Sequence, residues 1–334
     1  MVHAVSLILS YAVLSANASG EQQRYQFEQI HMGMPVRITL YAADKATANK
    51  AAAAAYQRVA ELNQVLSDYD PKSELSRLSD TAGSGQWMAV SDDLWRVLAA
   101  SQTLAQRSDG TFDVTVGPLV KLWRRARRNK QLPSPERLAA ARAAVGYRYL
   151  QLDAKGQRAK LAQPNMQLDL GGIAAGYAVD QALAVLKRHG IESAMVDASG
   201  DIGVSAAPPG KQGWEIGIAS LNKPDGPPSR TVLLVNRAIT TSGDAFQFVE
   251  IDGTRYSHIV DPRTGLGVTR RSSATVVADD CTTADSLATA VSVLGREAGL
   301  TLVAETPGAE ALLVFEDNGQ VRTVETDGLS KPAR

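Results

Sequence analysis

From position 193 onward the apolar residues fall into short runs of strand length, at 193–196, 214–218, 231–235, 274–277 and 311–315, with one helical stretch, 283–294, among them. Strands that follow one another across short turns do not have the βαβ rhythm of a doubly wound parallel sheet. The expected class is therefore α+β: one large domain of mixed or antiparallel sheets backed by helices. Upstream, Pro35-Val36-Arg37-Ile38-Thr39-Leu40 alternates apolar and polar as a half-buried strand does. An alanine-rich stretch over 46–66 has helical spacing, a second helix over 91–108 is capped by Ser91, and a third over 176–189 is closed by Gly190.

Lys+Arg and Asp+Glu both number 35, so the chain carries no basic footprint and nucleic acid is excluded as a bulk partner. A single cysteine, Cys281, and four histidines rule out a thiolate cluster and make a multi-imidazole centre untenable; a bound metal would have oxygen ligands. Residues 4–14 are apolar but too short to span a bilayer, and Ala16-Asn17-Ala18 follows as a small-x-small cleavage pattern. This predicts a signal peptide over 1–18, a domain over 19–334 and export, although Met1-Val2-His3 lacks the usual positive charge. No other segment is long enough for a membrane span.

Four segments carry chemistry-bearing residues, and each also has a plain structural reading. Leu168-Asp169-Leu170-Gly171-Gly172-Ile173-Ala174-Ala175-Gly176-Tyr177 is not G-x-G-x-x-G, because Gly171 and Gly172 are adjacent. Small residues entering a helix present amide groups to a phosphate, but they also serve a tight strand-to-helix turn. Asp285 and Thr289, at i and i+4, project oxygens from one helix face, suiting Mg²⁺ or merely solvating the helix. His258, Asp261 and Arg263 sit in a turn-rich segment where His258 could move a proton and Arg263 could face phosphate; a plain turn accounts for them equally. Gly110-Thr111-Phe112-Asp113-Val114-Thr115-Val116-Gly117 reads as a pocket lining or as a strand and turn. The basic cluster 121–130 reads by default as a solvated face and Cys281 as a small core residue.

The order of these segments is more informative than any one of them. Met32-Gly33, Tyr69-Asp70-Pro71-x-Ser73-Glu74-x-Ser76-Arg77-Leu78, the 110–123 segment, the 168–180 segment, Thr241-Ser242-Gly243, Ser257-His258-Ile259-x-Asp261-Pro262-Arg263-Thr264-Gly265 and Ala284-Asp285-x-x-Ala288-Thr289 follow one another along nearly the whole chain. In this the sequence resembles the ApbE-type FAD:protein FMN transferases.

The resemblance implies a T-fold-like architecture and an Mg²⁺-dependent enzyme. Such an enzyme cleaves FAD, joins FMN by a phosphoester to a threonine of an exported acceptor flavoprotein, and releases AMP. By position, the flavin-nucleotide site would include Met32, Tyr69, Thr111, Phe112, Asp113, Asp169, Ala175 and Val260. The metal would be held by Gly172, Asp285 and Thr289, and His258 and Asp285 would be catalytic. The implied location is periplasmic, with an acceptor that can itself be membrane-bound. Two departures stand out: many members have Lys where this chain has Ala175, and Asp197-Ala198-Ser199-Gly200-Asp201 stands where Asn-x-Gly-Gly-Asp is more usual, a difference read as structural. Some relatives also have a second carboxylate where this chain has Ala288. Two other readings remain open: FAD hydrolysis to FMN and AMP, with water in place of the acceptor threonine, and FAD binding without catalysis, which Ala175 favours.

Overall fold

The computed structural model describes residues 22–244 and 247–329; the 1–18 signal-peptide expectation lies outside them. Its centre is an eight-stranded sheet whose spatial order is its chain order: β1 (Gln23–His31), β2 (Met34–Ala42), β3 (Ala194–Ala198), β4 (Asp201–Val204), β5 (Arg237–Gly243), β6 (Ser272–Ala278), β7 (Glu310–Asp317) and β8 (Gln320–Glu325). Every neighbouring pair is antiparallel. The architecture is thus α+β, an up-and-down sheet into which helices and hairpins are inserted between successive strands.

The helices are α1 (Lys45–Leu66), α2 (Glu74–Asp80), α3 (Asp92–Arg107), α4 (Gly117–Asn129), α5 (Pro135–Ala143), α6 (Ala174–Arg188), α7 (Cys281–Leu294) and α8 (Arg296–Ala304). Helix α1 starts where Asp44 accepts the Thr47 amide at 2.8 Å, and it buries Ala48, Ala51, Ala52, Ala55, Val59 and Leu62 at helical spacing. Those small side chains let α1 lie against α6, which contributes Ala174, Ala178 and Ala182. Helix α7 packs beside α6 and across β5 and β6.

All seven residues of β6 are buried because both sheet faces are covered. Ala274, Val276 and Ala278 face the helical layer, whereas Val277 meets a hairpin, Trp214–Ile218 with Arg230–Leu234, on the other face. A third apolar cluster joins Leu119, Trp123 and Ala126 of α4 to Val249, Ile251 and Val260 of the insertion between β5 and β6. Trp123 fixes the join by donating Nε1–H to the Ser257 carbonyl at 3.0 Å. Among the described residues no helix is long and apolar enough to cross a membrane.

Candidate active site

A cavity of about 520 Å³ opens where α4, the N-terminus of α6, the middle of α7 and the β5–β6 insertion converge. Tyr69, Thr111, Phe112, Asp113, Asp169, Gly172, His258, Val260, Asp285 and Thr289 all line it, although they come from five separated stretches of chain.

Its floor is built by the turn from Asp169 into α6. Asp169 accepts the Gly171 amide at 2.9 Å through Oδ1 and Arg124 Nη2 at 3.0 Å through Oδ2, while its own amide donates to the Val114 carbonyl at 2.8 Å. Burial and the neighbouring Asp68 carboxylate push its pKa up, and Arg124 opposes them. No side chain of its own caps α6; instead Asp285 of α7 accepts the Gly176 amide at 3.1 Å.

Asp285 is buried, and its pKa is driven well above the usual carboxylate range by that burial and by the Asp201 and Asp180 carboxylates. Asp201 shares the cavity, its own pKa pushed up to about 7 chiefly by burial. Buried carboxylates that repel one another are stabilised by a cation. The surroundings of Asp285 suit a hard one: Thr289 lies one turn on, its Oγ1 is 3.4 Å from Ser242 Oγ, and a Cβ on Gly172 would sit 3.0 Å from the Thr289 side chain. Only a glycine lets the 172 backbone approach so closely. Among the described residues no three His, Cys, Asp or Glu side chains converge as a metal cage. A cation here would rest on one carboxylate, a hydroxyl, a backbone carbonyl and water or substrate oxygens. Mg²⁺ accepts that kind of sparse shell.

His258 reaches the cavity from the β5–β6 insertion, with its Nδ1 3.3 Å from the Gln247 carbonyl. Burial lowers its pKa, and the positive charge of Arg127 adds to the effect. Tyr69 stands at the rim, 76% exposed, with the Arg124 guanidinium 4.6 Å from its ring centre. The Asp113 carboxylate is turned to local structure: it accepts Thr115 N–H at 2.8 Å, Thr115 Oγ1–H at 2.7 Å and Tyr147 N–H at 2.7 Å.

Two expected residues are placed elsewhere. Met32 and Ala175 face a small apolar recess shared with Val59 and Val196, not the main cavity. Ala175 is packed into the α1–α6 side of the helical layer, where its methyl suits the apolar surroundings. Two expectations of a structural role also need correction. The basic stretch 121–130 is only in part a solvated face: Lys121, Arg125 and Arg128 are exposed, but Trp123 and Ala126 are buried, and Arg124 and Arg127 line the cavity. The 197–201 turn places Ser199 and Asp201 there too. The acidic residue after a Ser-Gly turn was the available signal for Asp201.

With this geometry in view, the ApbE family model matches residues 32–313. The chain belongs to the ApbE family. An ApbE relative from Treponema pallidum, named FAD:protein FMN transferase, is 32% identical over 318 residues, covering 91% of this chain and 88% of its own. One of the same name from Vibrio cholerae is 35% identical over 262 residues, or 78% of each chain. Among solved structures, the flavin transferase ApbE from Vibrio cholerae superposes with a TM-score of 0.82 at 31% identity, covering 92% of this chain and 99% of that one. The Pseudomonas stutzeri flavinyl transferase ApbE gives 0.80 at 31% identity, with 92% and 95% covered.

Proposed function

We propose that this ApbE-family chain is an Mg²⁺-dependent FAD:protein FMN transferase, which breaks the FAD diphosphate, attaches FMN to a threonine of an acceptor flavoprotein and releases AMP. The observation that carries this reading is the meeting of Asp285, Thr289 and Gly172 in the same cavity as His258. A metal-binding face and a proton-accepting imidazole are what transfer of a phosphoryl group to a hydroxyl requires.

Asp285, Thr289 and the Gly172 carbonyl would hold Mg²⁺, which when bound neutralises charge on the diphosphate. Tyr69 and Phe112 offer ring faces to the flat parts of the dinucleotide. Neutral His258 accepts the proton of the acceptor threonine hydroxyl as its oxygen attacks the FMN phosphorus. The bond from that phosphorus to the bridging oxygen breaks, and AMP departs with the bridging oxygen. Lowering of the His258 pKa by burial keeps the imidazole in this proton-accepting form near neutral pH. Export through the 1–18 segment would put the reaction in the periplasm, with an exported acceptor.

Asp285→Ala tests this directly. FAD bound without AMP release is the expected result; turnover equal to the parent chain would remove the metal assignment.

A further inference from the structure

Two arginines line the cavity, and they are in opposite electrostatic situations. Arg124 is fully engaged: Nη1 bonds Asp68 at 2.7 Å, Nη2 bonds Asp169 at 3.0 Å, and its plane lies on Tyr69. The guanidinium of Arg127, one turn further along α4, has no ion pair, hydrogen bond or ring contact among the described residues; the bond to the Lys130 amide is made by its backbone carbonyl. It is half-buried and close enough to Arg124 and His258 for charge to act between them.

Leaving a guanidinium partly desolvated beside a second arginine is unfavourable, and no carboxylate among the described residues pairs with it. Exposed arginines on the same helix, Arg125 and Arg128, show that α4 can direct this side chain type to solvent at other positions. Helix α6 contributes no side-chain cation to the site, since position 175 is alanine and lies in the apolar recess. A bound anion would compensate Arg127, and the planar fork of its N–H groups matches phosphoryl oxygens.

We propose that Arg127 is a phosphoryl-binding residue of this site, holding the diphosphate of the dinucleotide beside His258. This rests on the reading of the cavity as an FAD site and specifies which side chain supplies its free positive charge. Arg127 forms no bond that breaks; it orients the reacting phosphoryl group and compensates its charge.

The test is calorimetric titration of the full chain, with Mg²⁺ present, using FAD, ADP and riboflavin as separate probes. The variants are Arg127→Gln, Arg127→Lys and, as a surface control, Arg128→Gln. Arg127→Gln is expected to weaken FAD and ADP by about tenfold or more, the loss of a charge-assisted contact. Riboflavin, which has no phosphate, should bind as to the parent, Arg127→Lys should recover part of the loss, and Arg128→Gln should change nothing. Unaltered FAD and ADP binding by Arg127→Gln overturns the proposal, as does an equal loss of all three probes, which would mark a packing defect. If the parent chain itself fails to bind FAD, the functional reading falls and this inference falls with it.

Discussion

The Gly176 amide donates to Asp285 Oδ2 at 3.1 Å, so the first turn of α6 is capped by a carboxylate that also faces the cavity. The approach is possible only because position 176 has no side chain: a Cβ there would lie 2.2 Å from the Cys281 carbonyl oxygen. One contact therefore joins the fold to the site. It places α7 against α6 and leaves Asp285 and Thr289 turned toward Gly172.

Gly176→Ala should consequently damage stability and activity together. The obstructing atom is backbone, which cannot rotate away, so a destabilisation of at least about 2 kcal/mol is expected. Urea unfolding measures it, and a change within about 0.5 kcal/mol would show that α6 and α7 can part without cost.

Gly172→Ala should separate the two effects. Its Cβ would meet the Thr289 side chain at 3.0 Å, contact with a movable group. Stability should fall by less than about 1 kcal/mol, within the range for volume changes that neighbours absorb. The Mg²⁺ concentration for half-maximal AMP release should nevertheless rise several-fold, because the displaced group is one of the proposed metal ligands. An unchanged Mg²⁺ requirement would contradict that placement.

Asp285→Asn should make the metal-free protein more stable at neutral pH while removing its response to Mg²⁺. The folded-state pKa of Asp285 is raised, so its favourable contribution is present below its unfolded pKa and is lost as pH rises through the folded value. Ionising Asp285 in this buried, acidic setting is a burden that an amide does not carry. Thermal unfolding with and without Mg²⁺ reads both halves: the parent should gain stability with the ion, the variant should not. A variant that still gains would place the ion elsewhere.

The pH dependence of transfer should carry an acid limb from His258. Burial holds its pKa below the ordinary histidine value, which favours the neutral imidazole, and protonation removes the base on acidification. The rate should be flat through neutrality and fall only on acidification below the ordinary histidine range. His258→Gln should reduce transfer by about 10²–10⁴-fold while leaving FAD binding in place. Full transfer by that variant would assign the base to another group.

Much of this was legible where local chemistry decides structure. Ser91 caps α3, Gly190 follows α6 at φ +78°, and the alternating strand around Val36 is present as read. The ten cavity residues could be gathered from sequence only through motif order, since no spacing rule brings Tyr69 to Thr289. Helix α4 was hidden because five arginines and lysines between 121 and 128 mask the apolar stripe of Leu119, Trp123 and Ala126. β5, which reads Arg-Ala-Ile-Thr-Thr-Ser-Gly, lacks an apolar run because it is supported by neighbours on both sides, including a Thr241–Thr275 hydroxyl contact at 2.8 Å. Met32 and Ala175 belong to a recess set by how α1 and α6 pack, which is a tertiary fact.

The central claim, transfer of FMN to a protein, is tested most directly by the intact mass of a threonine-bearing acceptor domain incubated with the chain, FAD and Mg²⁺, with AMP followed in the same reaction. An acceptor heavier by one FMN residue, with AMP released in equal amount and neither seen without Mg²⁺, is the predicted result. AMP release with the acceptor mass unchanged would contradict the account, leaving a site that hydrolyses FAD.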